Sequence, residues 1–489
     1  MTTANLLPLL PLLITGLAVV VVMLAIAVHR DHRVSASLTL LGFAAALATL
    51  PLAYHSLLPG RYVFITPLLI IDGYSLYYTG LILATGFVVT LLSFGYLEKL
   101  PGKHDEYYLL LLLASLGSAV LTASAHFASF FLGLELLSVS LYALIAYQRG
   151  SRLGIEAALK YLILAGVSSP FILFGMALIY ANLGTMEPQE IAIRLSMGVL
   201  ANMQLSLVGL VMILVGVGFK LSLVPFHLWA PDVYEGAPAP VTALIATTSK
   251  GAVFALLVRY FMLIDTFVAT PLILIFTVLA IASMFVGNLL GLLQHNVKRI
   301  LAYSSISHMG YLLVAFLASG RLAVTAITFY ITAYFITTLG AFGTITVLSD
   351  RMRDADTLED YRGLAWRRPW LAALFTAMLL SLAGIPLTAG FVGKFFLLTA
   401  GVSANLWLLV IILVINSAIG LFYYLRIVLT MYLAPEGQEA AGTPVPPRPQ
   451  PLPLAAGIVL GALVLLLVWF GVYPAQLIDL IDQMVASLF

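Results

Sequence analysis

The chain is 489 residues long; 62% of it is hydrophobic, only 9% is charged, and the formal net charge is +2, whereas an ordinary soluble domain carries about 25% charged residues. A mean hydropathy of +1.08 is more apolar surface than a soluble fold can hide, because even a large domain leaves a broad face for water. These figures describe an integral membrane protein and exclude a nucleic-acid binder, a secreted disulfide scaffold and a water-soluble enzyme.

A helix crosses about 30 Å of hydrocarbon with about 20 apolar residues. Windows of that length predict fourteen spans, at 6–28, 34–57, 74–97, 107–124, 126–147, 154–181, 204–229, 239–264, 271–293, 300–318, 323–348, 371–402, 405–433 and 452–472. The first resembles a signal peptide but lacks a basic leading region, so it reads as a span. The loops after odd-numbered spans hold fourteen basic residues (Arg30, Arg33, Lys99, Lys103, Arg149, Arg152, Lys298, Arg299, Arg351, Arg353, Arg362, Arg367, Arg368 and Arg448), against Arg61, Arg194 and Arg321 on the other side. The positive-inside rule puts the odd-numbered loops in the cytoplasm and both termini outside.

Ser349–Pro369 is a long loop of mixed charge with room for a short surface helix. Pro435–Pro453 contains PVPPRPQPLP, an extended, polyproline-like cytoplasmic connector. After Pro474 the tail AQLIDLIDQMVASLF has apolar residues at helical spacing and predicts an amphipathic helix at the outer interface. With no cysteine, disulfides, thiolate nucleophiles and cysteine-held iron–sulfur or zinc sites are absent. No pair of the eight histidines has the i, i+4 spacing of a metal site on one helix. The expectation is that this chain holds no metal, cofactor or redox centre.

Six basic residues fall inside spans: Lys160, Lys220, Lys250, Arg259, Lys394 and Arg426. Arg259 and Arg426 lie close enough to helix ends to snorkel. Lys160 is about two turns inside its span, one turn after Glu156 on the same face, so ion pairing between them is the ordinary reading, and gathering protons from the cytoplasm by Glu156 the sharper one. Lys220, Lys250, Lys394 and Glu135 fall near the centres of predicted helices, where a charge costs at least ~2.5–3.5 kcal/mol. Three central lysines against one glutamate cannot all be neutralised by pairing. Burial disfavours the charged amine, and an amine poised between its two forms is what a proton relay needs. At about 6 Å and an effective dielectric near 20, Glu135 and Lys220 would attract by on the order of 3 kcal/mol, so such a pair can act as a switch.

The backbone near two of these lysines is broken: Gly216, Gly218 and Pro225 surround Lys220, and Gly384, Pro386, Gly390 and Gly393 precede Lys394. Broken membrane helices are tolerated where the freed groups line a cavity. Two interrupted helices at comparable places suggest an internal repeat. The division expected is a three-helix segment at 1–106, five-helix units at 107–265 and 266–434, inverted with respect to each other, and at 435–489 the connector, last span and tail. The fold class is all-α, a polytopic membrane protein. His227, after the Pro225 kink, is as well read as a structural headgroup-level histidine as a proton donor. His308, in YSSISHMGYLL, is read as a hydrogen-bonding residue between helices or as a group on a water path.

The segment from Gly216 to Lys250, with FKLSLVPFHLWAPDVYEGAPAPVTALIATTSK, closely resembles the signature of the antiporter-like subunits of respiratory complex I. NVKRILAYSSISHMGYLL (296–313) and GIPLTAGFVGKFFLL (384–398) are similar to further blocks of that family, in the same order. The length and the lysine at 394 resemble the shorter members of the family, rather than the type with glutamate there or the longer type with a lateral helix. The resemblance implies that Glu135 modulates a central Lys220, that Lys250 connects, that Lys394 serves a second half-channel, and that Lys160 is an additional lysine. It implies proton translocation with no cofactor in this chain, and NADH, FMN, iron–sulfur clusters and quinone in partner subunits. It also implies neighbouring antiporter-like, small membrane and peripheral subunits, and a bacterial inner (plasma) membrane. The rival readings are a multi-subunit cation/proton antiporter, a hydrogenase membrane subunit, and a structural spacer whose charges only hold helices together.

Overall fold

Hydrophobic periodicity is masked where helices are apolar all round, so helix ends and breaks carry the architecture. The computed structural model describes residues 6–57, 62–196, 203–263, 270–351, 353–434 and 454–489. Among these, thirteen helices are long and apolar enough to cross a membrane. The predicted twelfth span is two shorter apolar helices in sequence, Pro369–Ala383 and Ala389–Ser403. The predicted connector at 435–453 lies outside the described residues. A small antiparallel hairpin, Val63–Thr66 with Leu69–Ile71, follows the second span and pairs Val63 with Ile71.

The helices are not equally buried. The eighth (Ala239–Met262), tenth (Val297–Ala318) and eleventh (Gly320–Leu348) spans are almost wholly enclosed, whereas the first and last keep most of their surface outward. The enclosed helices bear the polar residues, as hydrocarbon requires: charged and hydrogen-bonding groups at membrane depth face the bundle interior. The tail forms the helix Ala475–Val485, with Leu477, Ile481 and Val485 buried. It straps the ends of the third and eleventh spans: the Thr325 hydroxyl donates to Asp482 at 2.5 Å, and the Tyr74 amide donates to Ser487 at 3.3 Å.

Three spans are broken, one more than the sequence announces. The seventh helix, Met203–Leu221, stops well short of the predicted end at 229, and Lys220 lies in its last turn rather than near its centre. Ser222 takes a positive φ of 59° and the chain turns past Pro225 before Trp229–Gly236 restarts. A proline supplies no amide and disfavours helix in the residue before it. The freed carbonyls are recaptured: Gly218 O accepts from the Leu223 amide at 2.8 Å and Phe219 O from the Trp229 indole at 2.8 Å. In the twelfth span Gly384 ends the first half in the left-handed region at φ 87°. The Thr388 hydroxyl then caps the second half at the Phe391 amide. The eighth span, read from sequence as continuous, contains a π-turn at Ile245–Ser249 immediately before Lys250. Such single-turn insertions recur at functional sites.

Candidate functional site

Each break delivers a lysine into the interior. Lys220 is 1% exposed and donates to the Ser138 hydroxyl at 2.6 Å. Its amine lies 5.5 Å from the ring centre of Tyr161. Glu135 is one turn before Ser138 on the fifth span (Phe127–Ile145), half-buried, and accepts from the Ser169 hydroxyl at 2.6 Å. Glu135 and Lys220 thus sit on different spans, and among the described residues they form no direct ion pair; a serine hydroxyl stands at each, Ser138 at Lys220 and Ser169 at Glu135.

Lys250, 1% exposed, donates to Ser305 at 2.6 Å. The same oxygen takes the hydroxyl of Tyr334 at 2.7 Å and that of Tyr234 at 3.3 Å. A hydroxyl has two lone pairs and one proton, so three donors oversubscribe it. With an ammonium at 250, Lys250 and Tyr334 occupy the lone pairs and Tyr234, the longest contact, gives way. With a neutral amine, Ser305 donates to Lys250 and accepts from both tyrosines. Ser305 thus gives Lys250 a partner in either protonation state, accepting from the ammonium and donating to the amine.

His308 is one turn further along the tenth span. Its Nδ1 is 2.6 Å from the Tyr330 hydroxyl and its Nε2 3.1 Å from that of Tyr424; the Tyr424 hydroxyl also meets Ser304. Lys394, 7% exposed, donates at 2.8 Å both to Ala383 O and to the Ser417 hydroxyl. Its amine thus reaches back to the end of the first half of its own broken span. Gly390 allows this close fold, since a Cβ there would stand 1.9 Å from Ser381 O.

The remaining candidates lie apart from this line. Lys160 is on the outer surface of its helix, at 2.8 Å from Glu156 and 2.7 Å from Asp232. Asp232 also meets Arg299 at 2.8 Å, and Arg299 meets Glu235 at 2.7 Å. Burial raises the affinity of Asp232 for a proton, but the Lys160 and Arg299 donors outweigh it and hold its pKa below the ordinary value. Lys298, buried, donates to Glu235 O, Ala237 O and Asp354. Together these charges pin the restart helix Trp229–Gly236 to the tenth span and to the loop at 353–356. His227 is 7% exposed in the break, and neither ring nitrogen has a hydrogen-bond partner among the described residues.

Arg259 does not snorkel: it is 3% exposed and makes two 2.8 Å bonds to Asp72, which is 1% exposed. The hairpin brings Asp72 to it, and an inward carboxylate is a better partner than a distant headgroup. Arg426 donates to Leu292 O at 3.1 Å and to Gln294 O, capping the end of the ninth span.

Sequence reasoning missed the hydroxyl and phenol partners Ser138, Ser305, Ser417, Tyr234, Tyr330, Tyr334 and Tyr424. One signal was present: Ser304, Ser305, Ser307 and His308 crowd a single turn and a quarter of an apolar span. Among the described residues no three His, Asp or Glu side chains group as metal ligands.

Among the described residues, a helical membrane bundle whose seventh, eighth and twelfth spans break beside buried lysines, each held by a hydroxyl and not by a carboxylate, is the architecture of an antiporter-like membrane subunit. Residues 124–420 match the family described as NADH:quinone oxidoreductase/Mrp antiporter, TM. The chain is 48% identical over 492 residues to NADH-quinone oxidoreductase subunit N of Ectopseudomonas mendocina (strain ymp), covering 99% of this chain and 97% of that one. It is also 48% identical to the subunit N of Methylococcus capsulatus (strain Bath), covering 98% and 95%. The chain belongs to the NADH-quinone oxidoreductase subunit N family. A chain of respiratory complex I from Thermus thermophilus with bound aureothin superposes at a TM-score of 0.79 with 33% identity, covering 96% of this chain and 98% of that one. A chain of an archaeal membrane-bound sulfane sulfur reductase gives 0.85 at 26% identity, covering 100% and 98%. A chain of the Mrp complex from Dietzia sp. DQ12-45-1b gives 0.85 at 21% identity over the same shares, a likeness of fold alone.

Proposed function

We propose that this chain is a proton-translocating membrane subunit of an NADH:quinone oxidoreductase. It moves protons from the cytoplasm to the outside along Glu135, Lys220, Lys250, His308 and Lys394, with water between them. The observation that carries this reading is the choice of partners. Among the described residues, Lys220, Lys250 and Lys394 form no salt bridge and donate instead to Ser138, Ser305 and Ser417. Arg259, equally buried, has Asp72. A permanent counter-ion locks a buried charge, because removing either charge strands the other. A hydroxyl serves the ammonium as acceptor and the amine as donor, so the proton is free to leave. A spacer whose charges only join helices would pair its lysines as Arg259 is paired.

The packing supports the two-unit division. The fourth span packs on the fifth and eighth as the ninth packs on the tenth and thirteenth. A five-helix unit crosses the membrane an odd number of times, so two in succession are inverted. The loop charges support termini outside, and the bacterial relatives support a bacterial inner membrane. Lys160 and His227 lie on the cytoplasmic side of Lys220 in that orientation and are assigned secondary roles in proton uptake. With no cysteine here, NADH oxidation, FMN, iron–sulfur clusters and quinone belong to partner subunits, whose redox chemistry drives the relay.

In vesicles containing the assembled complex, Lys220→Ala is expected to abolish or sharply reduce proton pumping while the NADH:ferricyanide activity of the peripheral arm persists. Normal pumping by an assembled Lys220→Ala complex would overturn the relay.

A further inference from the structure

Among the described residues no hydrogen bond joins His308 and Lys394 directly or through a shared partner. Both ring nitrogens of His308 are committed to Tyr330 and Tyr424. Lys394 uses two of its three N–H groups on Ala383 O and Ser417. The ring of Tyr311 lies beside both. Its ring centre is 5.5 Å from that of His308 and 5.4 Å from the Lys394 amine, and its side chain is 2% exposed.

What Tyr311 does with its proton is set by Asn288, a wholly buried amide on the ninth span. Asn288 Nδ2 lies 2.9 Å from Met284 O, and Oδ1 takes the Tyr423 hydroxyl at 2.9 Å. A carbonyl only accepts, so the Met284 contact fixes which end of the amide carries the hydrogens; the flipped amide would set two oxygens against each other. Asn416 Oδ1 meets the same Nδ2 at 3.2 Å. Gly420 completes the enclosure, for a Cβ there would come within 3.0 Å of Asn288 Oδ1. Nδ2 carries two hydrogens for three acceptors; the two shorter contacts, Met284 O at 2.9 Å and the Tyr311 hydroxyl at 3.0 Å, take them and Asn416 at 3.2 Å gives way, so toward Tyr311 Asn288 donates. The phenol oxygen accepts and its own proton is left to point elsewhere.

We propose that Tyr311 is a further relay residue, carrying protons between His308 and Lys394, and that Asn288 is the positioning residue that keeps its hydroxyl a donor toward that gap. The inference rests on the assignment of Lys394 to the relay. The step is a concerted hop. The Tyr311 O–H bond breaks toward one neighbour while a new O–H bond forms with a proton from the other, with water completing any gap wider than a hydrogen bond. The phenol is neutral before and after, and one proton has crossed.

The test uses the whole complex in membrane vesicles, normalised by NADH:ferricyanide activity, and compares pumping in H₂O and D₂O. Tyr311→Phe keeps the ring over Lys394 and removes only the hydroxyl. It is expected to slow pumping about tenfold, the order of one lost hydrogen-bonded step, and to change the solvent isotope effect. Asn288→Leu is expected to do the same, and the double variant to be no worse than Tyr311→Phe alone, because both act on one proton. Wild-type pumping and isotope effect in Tyr311→Phe, with pumping lost in Lys394→Ala, would overturn the role of Tyr311 and leave the relay standing. Wild-type pumping in both would overturn the relay and this inference with it. Additive losses in the double variant would overturn the positioning role of Asn288.

Discussion

Ser305 is where the chemistry of the Lys250 region concentrates, and Ser305→Ala is the sharpest single perturbation of it. The substitution removes one oxygen and leaves the Cβ, so packing is nearly unchanged. Three donors lose their common partner: Lys250 at 2.6 Å, Tyr334 at 2.7 Å and Tyr234 at 3.3 Å. A hydrogen bond to a charged group is worth about 1.5–3 kcal/mol. If that interaction is lost when Lys250 carries its proton, the barrier rises by the same amount, a slowing of roughly 10- to 150-fold at ~1.4 kcal/mol per decade. The contact lengths also order the neighbours. Tyr334→Phe removes a short bond and should slow pumping more than Tyr234→Phe, which removes the long one, and both should act less than Ser305→Ala. The assay is initial proton uptake by inverted vesicles, normalised to assembled complex. Pumping at the wild-type rate in Ser305→Ala, or a larger effect from Tyr234→Phe than from Tyr334→Phe, would refute the hub.

The other predictions concern what holds the line in place. Removing one partner of the buried Arg259–Asp72 pair, as in Asp72→Asn, should cost about 3–5 kcal/mol and lower the amount of assembled subunit, whereas Arg259→Met with Asp72→Leu should recover much of it; denaturation of the purified complex followed by temperature reads this. Gly390→Ala forces a Cβ against Ser381 O at 1.9 Å, so the two halves of the twelfth span must separate, and pumping should fail together with the Lys394–Ala383 contact. Asp232, part-exposed between Lys160 and Arg299, should contribute only about 1 kcal/mol. Because its folded pKa lies below the ordinary 3.8, that contribution is complete at neutral pH and is lost as pH falls below about 4. Hydrogen exchange in Trp229–Gly236 should quicken in Asp232→Asn at pH 7, and the difference from wild type should shrink as the pH falls through the acid range.

Much of this protein was legible before any fold was known. Composition required a membrane, and the fourteen spans and the charge bias of their loops could be read because hydrocarbon imposes a length and forbids unpaid backbone groups. Lys220, Lys250, Lys394 and Glu135 stood out for the same reason: a charge deep in oil is costly wherever its helix lies. The breaks near Lys220 and Lys394 were marked by glycine and proline. The π-turn before Lys250 was not, since IATTS contains neither glycine nor proline.

Only the tertiary structure decided partners. Nothing in the order of residues brings Ser138 to Lys220 across 82 positions, or Asp72 to Arg259 across 187. Of the two arginines expected to snorkel, Arg259 turned inward because packing offered it Asp72, while Arg426, half-buried, reaches the carbonyls at the end of the ninth span. Burial is a property of one residue and its span, and composition determines it well. Whether a buried amine meets a hydroxyl that lets its proton go, or a carboxylate that keeps it, depends on which helices touch and at what register, and that geometry exists only once the bundle has closed.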